Sequence, residues 1–318
     1  MRRGAAKFAR ERHFIHSYSL SHSSSLFSVM KQIALKIDVD TCRGTMEGVP
    51  ALLRLLLKYD AQGSFFFSLG PDHTGRETGK AQLKRYYDYR TRLYGFLLPA
   101  PETGARCLDI LRETQRAGFE TALHAWNRVS WEKRVGDAPN SWVEAEMQKA
   151  VTRFSEIFST PPLAHAAAGW KMNRHALRLT QRLGFFYASD CRGAKPFIPV
   201  IDGEIVLCPQ IPTTLPTFDE ILQRDALSPI AAVERIFDIS ETTEGDQVFT
   251  LRAEIEGMRF ISPFEHLLRA WKKQGNSLIA LQTLQASLNL ASLPRNRVVF
   301  DEIPGRTGKT MRQGAIFP

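Results

Sequence analysis

Two carboxylates two residues apart, in Lys36-Ile37-Asp38-Val39-Asp40, are the first residues whose spacing permits chemistry. An apolar run precedes them, and residues i and i+2 of a strand face the same way. Carboxylates so placed repel unless a cation or a shared proton stands between them. The pair also fits a helix N-cap followed by a solvated loop acid; spacing alone leaves both readings open. His124 ends another apolar segment and is followed by Ala125 and Trp126. A single histidine at a strand end is commonly a hydrogen-bonding core residue, but two aspartates at a neighbouring strand end make a ligand role worth weighing. Further on, His165-Ala166-Ala167-Ala168-Gly169-Trp170 is small enough for a backbone to approach a ligand closely. Ser189-Asp190-Cys191-Arg192 follows a third apolar segment, and Arg252, Glu254 and Glu256 follow a fourth.

The elements needed to position these residues are legible as a repeating pattern. Segments 33–37, 64–69, 119–123, 185–188, 248–251 and 277–281 read as short strands. Helical spacing marks 49–59, with Pro50 in its first turn, then 105–117, 173–183 closed by Gly184, and 263–273. A further helix follows Ser141, with Ser141 and Glu144 spaced as a capping box. Repeated β-then-α units predict an α/β fold with a parallel sheet or barrel. In a parallel barrel the site lies at the C-terminal ends of the strands, where all the candidates fall. Residues 72–104 carry no clear period, and periodicity fades after about residue 290.

Length and composition exclude several classes. The chain has 318 residues, 43% hydrophobic and 24% charged, which fits one large globular domain rather than a disordered protein. It has no apolar run of about 18 residues, the length of a membrane-spanning helix. The net charge of +9 is concentrated at the ends. Five Arg/Lys against one Glu leave +4 in 1–29, and five against two acids leave +3 in 289–318. That distribution does not describe a nucleic-acid-binding face. The four cysteines, Cys42, Cys107, Cys191 and Cys208, form no C-x-x-C pair, which speaks against a zinc ribbon and for a reduced compartment. Gly305-Arg306-Thr307-Gly308-Lys309-Thr310 imitates a phosphate loop, but Ile303 stands where the motif requires glycine. Residues 1–29, Arg-rich then Ser-rich, read as a non-structural extension preceding Met30 as an alternative start.

Seven strings in order make the pattern specific: KIDVDTCRGTMEGVP, SFFFSLGPD, LHAW, HAAAGW, YASDCRG, PQIPTTLPTFDE and AEIEG. Together, over about residues 30–290, they resemble the deformylases acting on undecaprenyl-phosphate-linked 4-deoxy-4-formamido-L-arabinose, a family of the NodB-like polysaccharide deacetylase superfamily. The resemblance implies a distorted (β/α) barrel in which a divalent metal is held by one Asp and two His, a second Asp is the base and a late His the acid. It implies Asp38 as base, Asp40 and His124 as metal ligands, and Trp126, Gly169, Trp170, Asp190, Arg192 and Glu254 as substrate-binding candidates. It also implies a role in lipid A aminoarabinose modification and polymyxin resistance, with a lipid-linked substrate and a peripheral contact on the cytoplasmic face of the inner membrane. The aromatic and basic segment 86–96, with Arg85, Arg90 and Arg92, fits such a contact and equally fits a packed loop.

The departures from the family pattern fall on its chemistry. Where relatives read close to H-A-W-D-H-H, this chain reads His124-Ala125-Trp126-Asn127-Arg128-Val129. Arg128 takes the place of the second metal histidine and cannot ligate, since it stays protonated. Asn127 replaces a carboxylate. Arg252 replaces the late histidine, and a guanidinium does not release its proton near neutral pH. Residues 93–104 read as shortened. The expected metal is therefore weakly held or absent, with His165 as a possible substitute ligand. Three outcomes follow: a copy that has lost catalysis, a weak site using another ligand, or a protein that binds lipid-linked sugar without hydrolysis. The expected organisation is 1–29 as extension, 30–290 as the deacetylase-like domain and 291–318 as a basic, weakly structured tail.

Overall fold

The computed structural model describes residues 31–77, 85–304, 306 and 308–318, so the expectation for 1–29 lies outside the described residues. Strands and helices alternate: β1 (Gln32–Val39), α1 (Val49–Lys58), β2 (Ser64–Ser68), α2 (Thr103–Arg106), α3 (Leu108–Arg116), β3 (Glu120–Ala125), α4 (Arg128–Arg134), α5 (Asn140–Phe158), β4 (Ala164–His165), α6 (Arg174–Arg182) and β5 (Tyr187–Ala188) come first. They are followed by β6 (Ile198–Ile201), β7 (Glu204–Ile205), α7 (Phe218–Arg224), α8 (Pro229–Thr242), β8 (Gln247–Arg252), α9 (Ile261–Lys273), β9 (Ser277–Ile279), α10 (Leu281–Ser287), β10 (Arg295–Glu302) and β11 (Lys309–Ile316).

Seven strands form a parallel sheet in the order β5-β4-β3-β2-β1-β8, with β9 also pairing β1. Strand β1 is central. Its start pairs β9, its end pairs β2, and its other edge pairs β8 over six residues. Every residue of β1 after Gln32 is buried, as a parallel strand covered on both faces requires. Helices pack outside this sheet through Leu52, Leu56, Phe154, Leu177, Phe264 and Trp271.

The sheet curls without closing by a regular ladder. Between β5 and β8 runs 209–215, the PQIPTTL part of the longest string. Its backbone bonds Ala188 and Cys191 on one side and Val248 on the other. Pro209, Pro212 and Pro216 remove donors and preclude a regular strand, so this segment closes the half-barrel irregularly. Thr217 then opens α7 with a capping box to Glu220. The capping box expected at Ser141 does not form. Helix α5 starts just after Pro139, and Glu144 instead pairs with Nε2 of His175 at 2.8 Å.

The 291–318 segment also departs from expectation. It forms the hairpin β10–β11, which joins β6 and β7 in a second, four-stranded sheet. Met311 and Thr310 are buried there. Along β10 only Asn296 is buried and Val298 half-buried, so the strand carries little apolar alternation for the sequence to show. Lys309 and Thr310 of the phosphate-loop imitation lie in β11, a strand rather than the helix N-terminus that motif requires.

One glycine matters for the mouth of the barrel. Gly48 ends the turn between β1 and α1 and lies directly on the Ala253 carbonyl, where any Cβ would collide with backbone. This contact holds the loop after Asp40 against the loop after Arg252.

Candidate active site

The C-terminal ends of β1, β3 and β8 bring the expected residues together. Asp38 lies near the end of β1 and Asp40 just past it, His124 lies near the end of β3, and Arg252 ends β8, level with Asp38 in register. All four are buried. His124 Nε2 is 3.0 Å from Asp40 Oδ1, and its Nδ1 is 4.0 Å from Asp38 Oδ1. Asp38 Oδ1 is also 3.3 Å from Nζ of Lys36, a buried lysine two residues back on the same strand face. Burial pushes that lysine's pKa down, against the pull of Asp38 and Asp190.

Two guanidiniums complete the cluster. Arg128 Nε lies 3.8 Å from Asp40 Oδ1, and Arg252 Nε lies 3.5 Å from Asp40 Oδ2. Burial by itself would raise the Asp40 carboxyl, but Arg128, the His124 hydrogen bond and Arg252 outweigh it and hold it well below the usual carboxylate range. Each arginine has anchors of its own. Arg128 Nη1 donates to Glu77 at 2.6 Å and to Glu132, one helical turn on, at 3.0 Å. Arg252 Nη1 donates to Asp219 at 2.9 Å. Burial opposes both charges, yet these carboxylates keep the guanidiniums protonated, with pKa values raised well above the ordinary one.

The acids behind Arg252 form a second layer. Arg306, from the segment between β10 and β11, reaches Glu220 at 2.6 Å and Asp219 at 3.4 Å, and Arg192 reaches Glu220 at 3.2 Å. Trp170 is the surface they share: Arg306, Arg192 and Lys36 lie 4.2, 5.2 and 5.4 Å from its ring, an arrangement favourable to cations. Gly169 and Trp170 both have positive φ, so this turn, rather than an approach to ligand, accounts for the glycine.

Other candidates have different tasks. His165 does not join the cluster. Its Nδ1 is 2.7 Å from Asp190, and its ring stacks on Phe185. Asp190 also accepts the Ala167 N–H and a Gln210 amide hydrogen, which occupies both its oxygens with protein groups. His165 as substitute ligand and Asp190 as substrate contact are therefore replaced by structural roles. Asn127 caps α4, accepting the Ser130 N–H, and its amide meets the His73 ring. Glu254 accepts the Asp40 N–H at 3.3 Å; burial and the neighbouring Asp40 raise its pKa well above the carboxylate range. Trp126 lines a cavity of about 10 Å³ with Asp40, Asp72, His73 and Arg128, room for about one water. His124 Nδ1 and Glu254 Oε1 are buried without a hydrogen-bond partner among the described residues.

These residues do not fit a divalent metal. Asp40 and His124 address each other rather than a shared point, and among the described residues no three His, Cys, Asp or Glu are grouped to hold an ion. The third donor position carries Arg128, a fixed cation.

Sequence reasoning missed Lys36, Glu77, Glu132, Asp219, Glu220 and Arg306. Two signals were available. Asp219 and Glu220 lie in the PTFDE string, and Glu132 stands four residues after Arg128 on a helix, the spacing of an ion pair.

Fold and site together define an amide-hydrolase architecture of the polysaccharide deacetylase type, and the comparisons agree. The chain is 32% identical over 298 residues to the probable 4-deoxy-4-formamido-L-arabinose-phosphoundecaprenol deformylase ArnD of Shewanella sediminis (strain HAW-EB3), covering 90% of this chain and 96% of that one. It is 29% identical over 289 residues to the protein of the same name from Wigglesworthia glossinidia brevipalpis, covering 86% and 99%. Among solved structures, a protein described as a polysaccharide deacetylase from Mycobacterium smegmatis superposes with a TM-score of 0.61 at 16% identity, over 86% of this chain and 96% of that one. No protein-family model matches. The chain belongs to the 4-deoxy-4-formamido-L-arabinose-phosphoundecaprenol deformylase family.

Proposed function

We propose that the chain acts on the formamide of a lipid-linked 4-deoxy-4-formamido-L-arabinose, releasing formate and leaving the amine, in lipid A aminoarabinose modification and polymyxin resistance. The observation that carries this is similarity to deformylases over nine-tenths of the chain, joined to the convergence of Asp38, Asp40 and His124 at one end of the sheet. Deformylation requires a base for the attacking water, positive charge beside the developing oxyanion, and a proton for the leaving amine. Asp38 is the base this arrangement offers. Its carboxylate is buried and charge-compensated by Lys36, which lies 3.3 Å from Oδ1. The positive charge nearest it comes from Lys36 and Arg252. On this reading the chain works at the cytoplasmic face of the inner membrane as a peripheral protein; among the described residues no helix is long and apolar enough to cross a membrane.

A second reading has its own observation. Arg128 and Arg252 both reach Asp40, and the cavity beside it holds about 10 Å³. A site so filled suits a protein that retains lipid-linked sugar without hydrolysing it. One experiment separates the two: formate release and metal content measured on the full chain and on the Arg128→His, Arg252→His double variant. The deformylase reading expects formate release from the unmodified chain. The binding reading expects none, with formate release and bound metal rising together in the double variant.

A further inference from the structure

Two of the four cysteines meet. Cys42 and Cys107 are 65 positions apart, yet their sulfurs lie 3.7 Å from each other, and the Cys107 thiol also donates to the Cys42 carbonyl at 3.6 Å. Both side chains are buried. Each stands where a helix begins. Thr41 Oγ1 accepts the Gly44 N–H, so Cys42 opens the turn Gly44–Gly48 that leads into α1. Cys107 is the residue before α3. The partial positive charge of a helix N-terminus favours the thiolate, the reactive form of cysteine. Met46 lies against Cys42, sulfur to sulfur at 4.0 Å, and is itself 42% exposed. On that side a flexible, polarisable side chain stands between the Cys42 sulfur and solvent. Cys191 differs, since its sulfur meets the Gln210 side-chain oxygen at 3.8 Å.

The pair joins two parts of the barrel mouth. Cys42 follows Asp40 by two residues, and its N–H donates to Asp72 at 2.9 Å. Asp72 in turn lines the small cavity beside Asp40 and Arg128. On the other side, Thr103 and Gly104, in the turn of helix just before Cys107, donate their N–H groups to the carbonyls of Gly70 and Leu69, beyond the end of β2. A disulfide needs about 2.0 Å between its sulfurs, so a bridge draws them about 1.7 Å closer. It would then fix the turn after Asp40 to the start of α3.

We propose that Cys42 and Cys107 are a reversible disulfide site that, on oxidation by hydrogen peroxide, latches the turn after Asp40 to α3. The Cys42 sulfur attacks one peroxide oxygen, the O–O bond breaks, and the other oxygen leaves as water with the thiol proton, giving a sulfenic acid. The Cys107 sulfur then attacks the Cys42 sulfur, the S–O bond breaks, and a second water leaves. Two thiols and one peroxide give one disulfide and two waters; the sulfurs lose two electrons and the peroxide gains them. A dithiol reductant reverses the bridge. The latch operates whether the chain hydrolyses its substrate or only holds it. The test treats the folded full chain with hydrogen peroxide, blocks the remaining thiols with iodoacetamide and maps tryptic peptides by mass. Peptide 37–43 is expected joined to peptide 107–112, with both released by dithiothreitol. Neither contains Met46, so sulfoxide formation there is scored separately. Because the bridge closes 65 positions of chain, the oxidised chain is expected to melt roughly 5 °C higher than the reduced one. Amide hydrogens in 40–48 should exchange several-fold more slowly. Cys107→Ala should remove the cross-link and both shifts. A cross-link that forms only in urea, Cys42 carried to sulfinic acid without a cross-link, or a pair left reduced at peroxide concentrations that oxidise Met46 would overturn the disulfide site. A cross-linked chain whose 40–48 amides exchange as in the reduced chain would overturn the latch.

Discussion

At the scale of single residues the site is governed by buried charge. Asp40, Asp219 and Glu220 stay ionised against burial chiefly because arginines face them, each acid having more than one cationic partner. Glu256 behaves oppositely. Burial pushes its pKa up to about 8, against the help of the Arg252 N–H that it accepts at 2.9 Å. Between its ordinary value of 4.5 and about 8 the unfolded chain releases this proton while the folded chain keeps it. The unfolded state then binds fewer protons, so this group makes stability fall as pH rises through that window. Glutamine mimics the protonated acid and can accept the same N–H. Urea unfolding of Glu256→Gln is therefore expected to match the parent chain near the bottom of the window and to show higher stability at its top. A parent-like pH slope in the variant would mean that Glu256 is ionised in the folded chain.

At the scale of elements, the hairpin β10–β11 is tied to the barrel by backbone bonds between Arg192 and Met311 and Gln313, and by one buried cationic side chain. Arg306 bonds both Glu220 and Asp219 and covers Trp170. Breaking a buried pair by removing one partner costs about 3–5 kcal/mol, though Arg192 and Arg252 remain to compensate the two acids. Arg306→Ala is expected to lower the melting temperature by roughly 5–10 °C, with Arg306→Lys between it and the parent. A shift within about 1 °C would show the hairpin to be uncoupled from the mouth. This link was not legible in sequence, because it depends on two segments some 86 positions apart meeting over an indole. The strands were legible because a buried parallel strand reads as a continuous apolar run, as 64–69 and 248–251 do. Their ends located Asp38, Asp40 and His124. What escaped was everything held by long-range ion pairs: Lys36 reads only as part of the strand 33–37, and Arg306 as part of a failed phosphate loop. Arg128 and Arg252 were visible as departures from the family pattern, but not that both point at the same carboxylate.

At the scale of the whole molecule, a cleft of about 630 Å³ opens beside a segment that carries unusual apolar exposure. Tyr89 is 74% exposed, and Phe96 and Leu97 are each 69% exposed, within a few residues of the exposed Arg85, Arg90 and Arg92. Thr91 and Tyr87 are buried beneath, so the segment is fastened to the barrel while its large side chains face outward. Apolar side chains flanked by arginines suit the boundary of an anionic membrane, where each cation near the surface contributes about 1 kcal/mol and the aromatic groups enter the headgroup layer. On the proposed function a lipid-linked substrate brings the chain to a bilayer, and Arg92 lines the cleft beside this segment. The full chain is expected to co-sediment with phosphatidylglycerol-containing vesicles, more weakly with zwitterionic ones, and less as salt rises. Phe96→Ser with Leu97→Ser should reduce the bound fraction several-fold at every salt concentration, while Arg90→Gln should reduce it chiefly at low salt. Vesicle binding insensitive to the two apolar changes would place the membrane contact elsewhere on the surface and return 86–96 to the role of a packed loop.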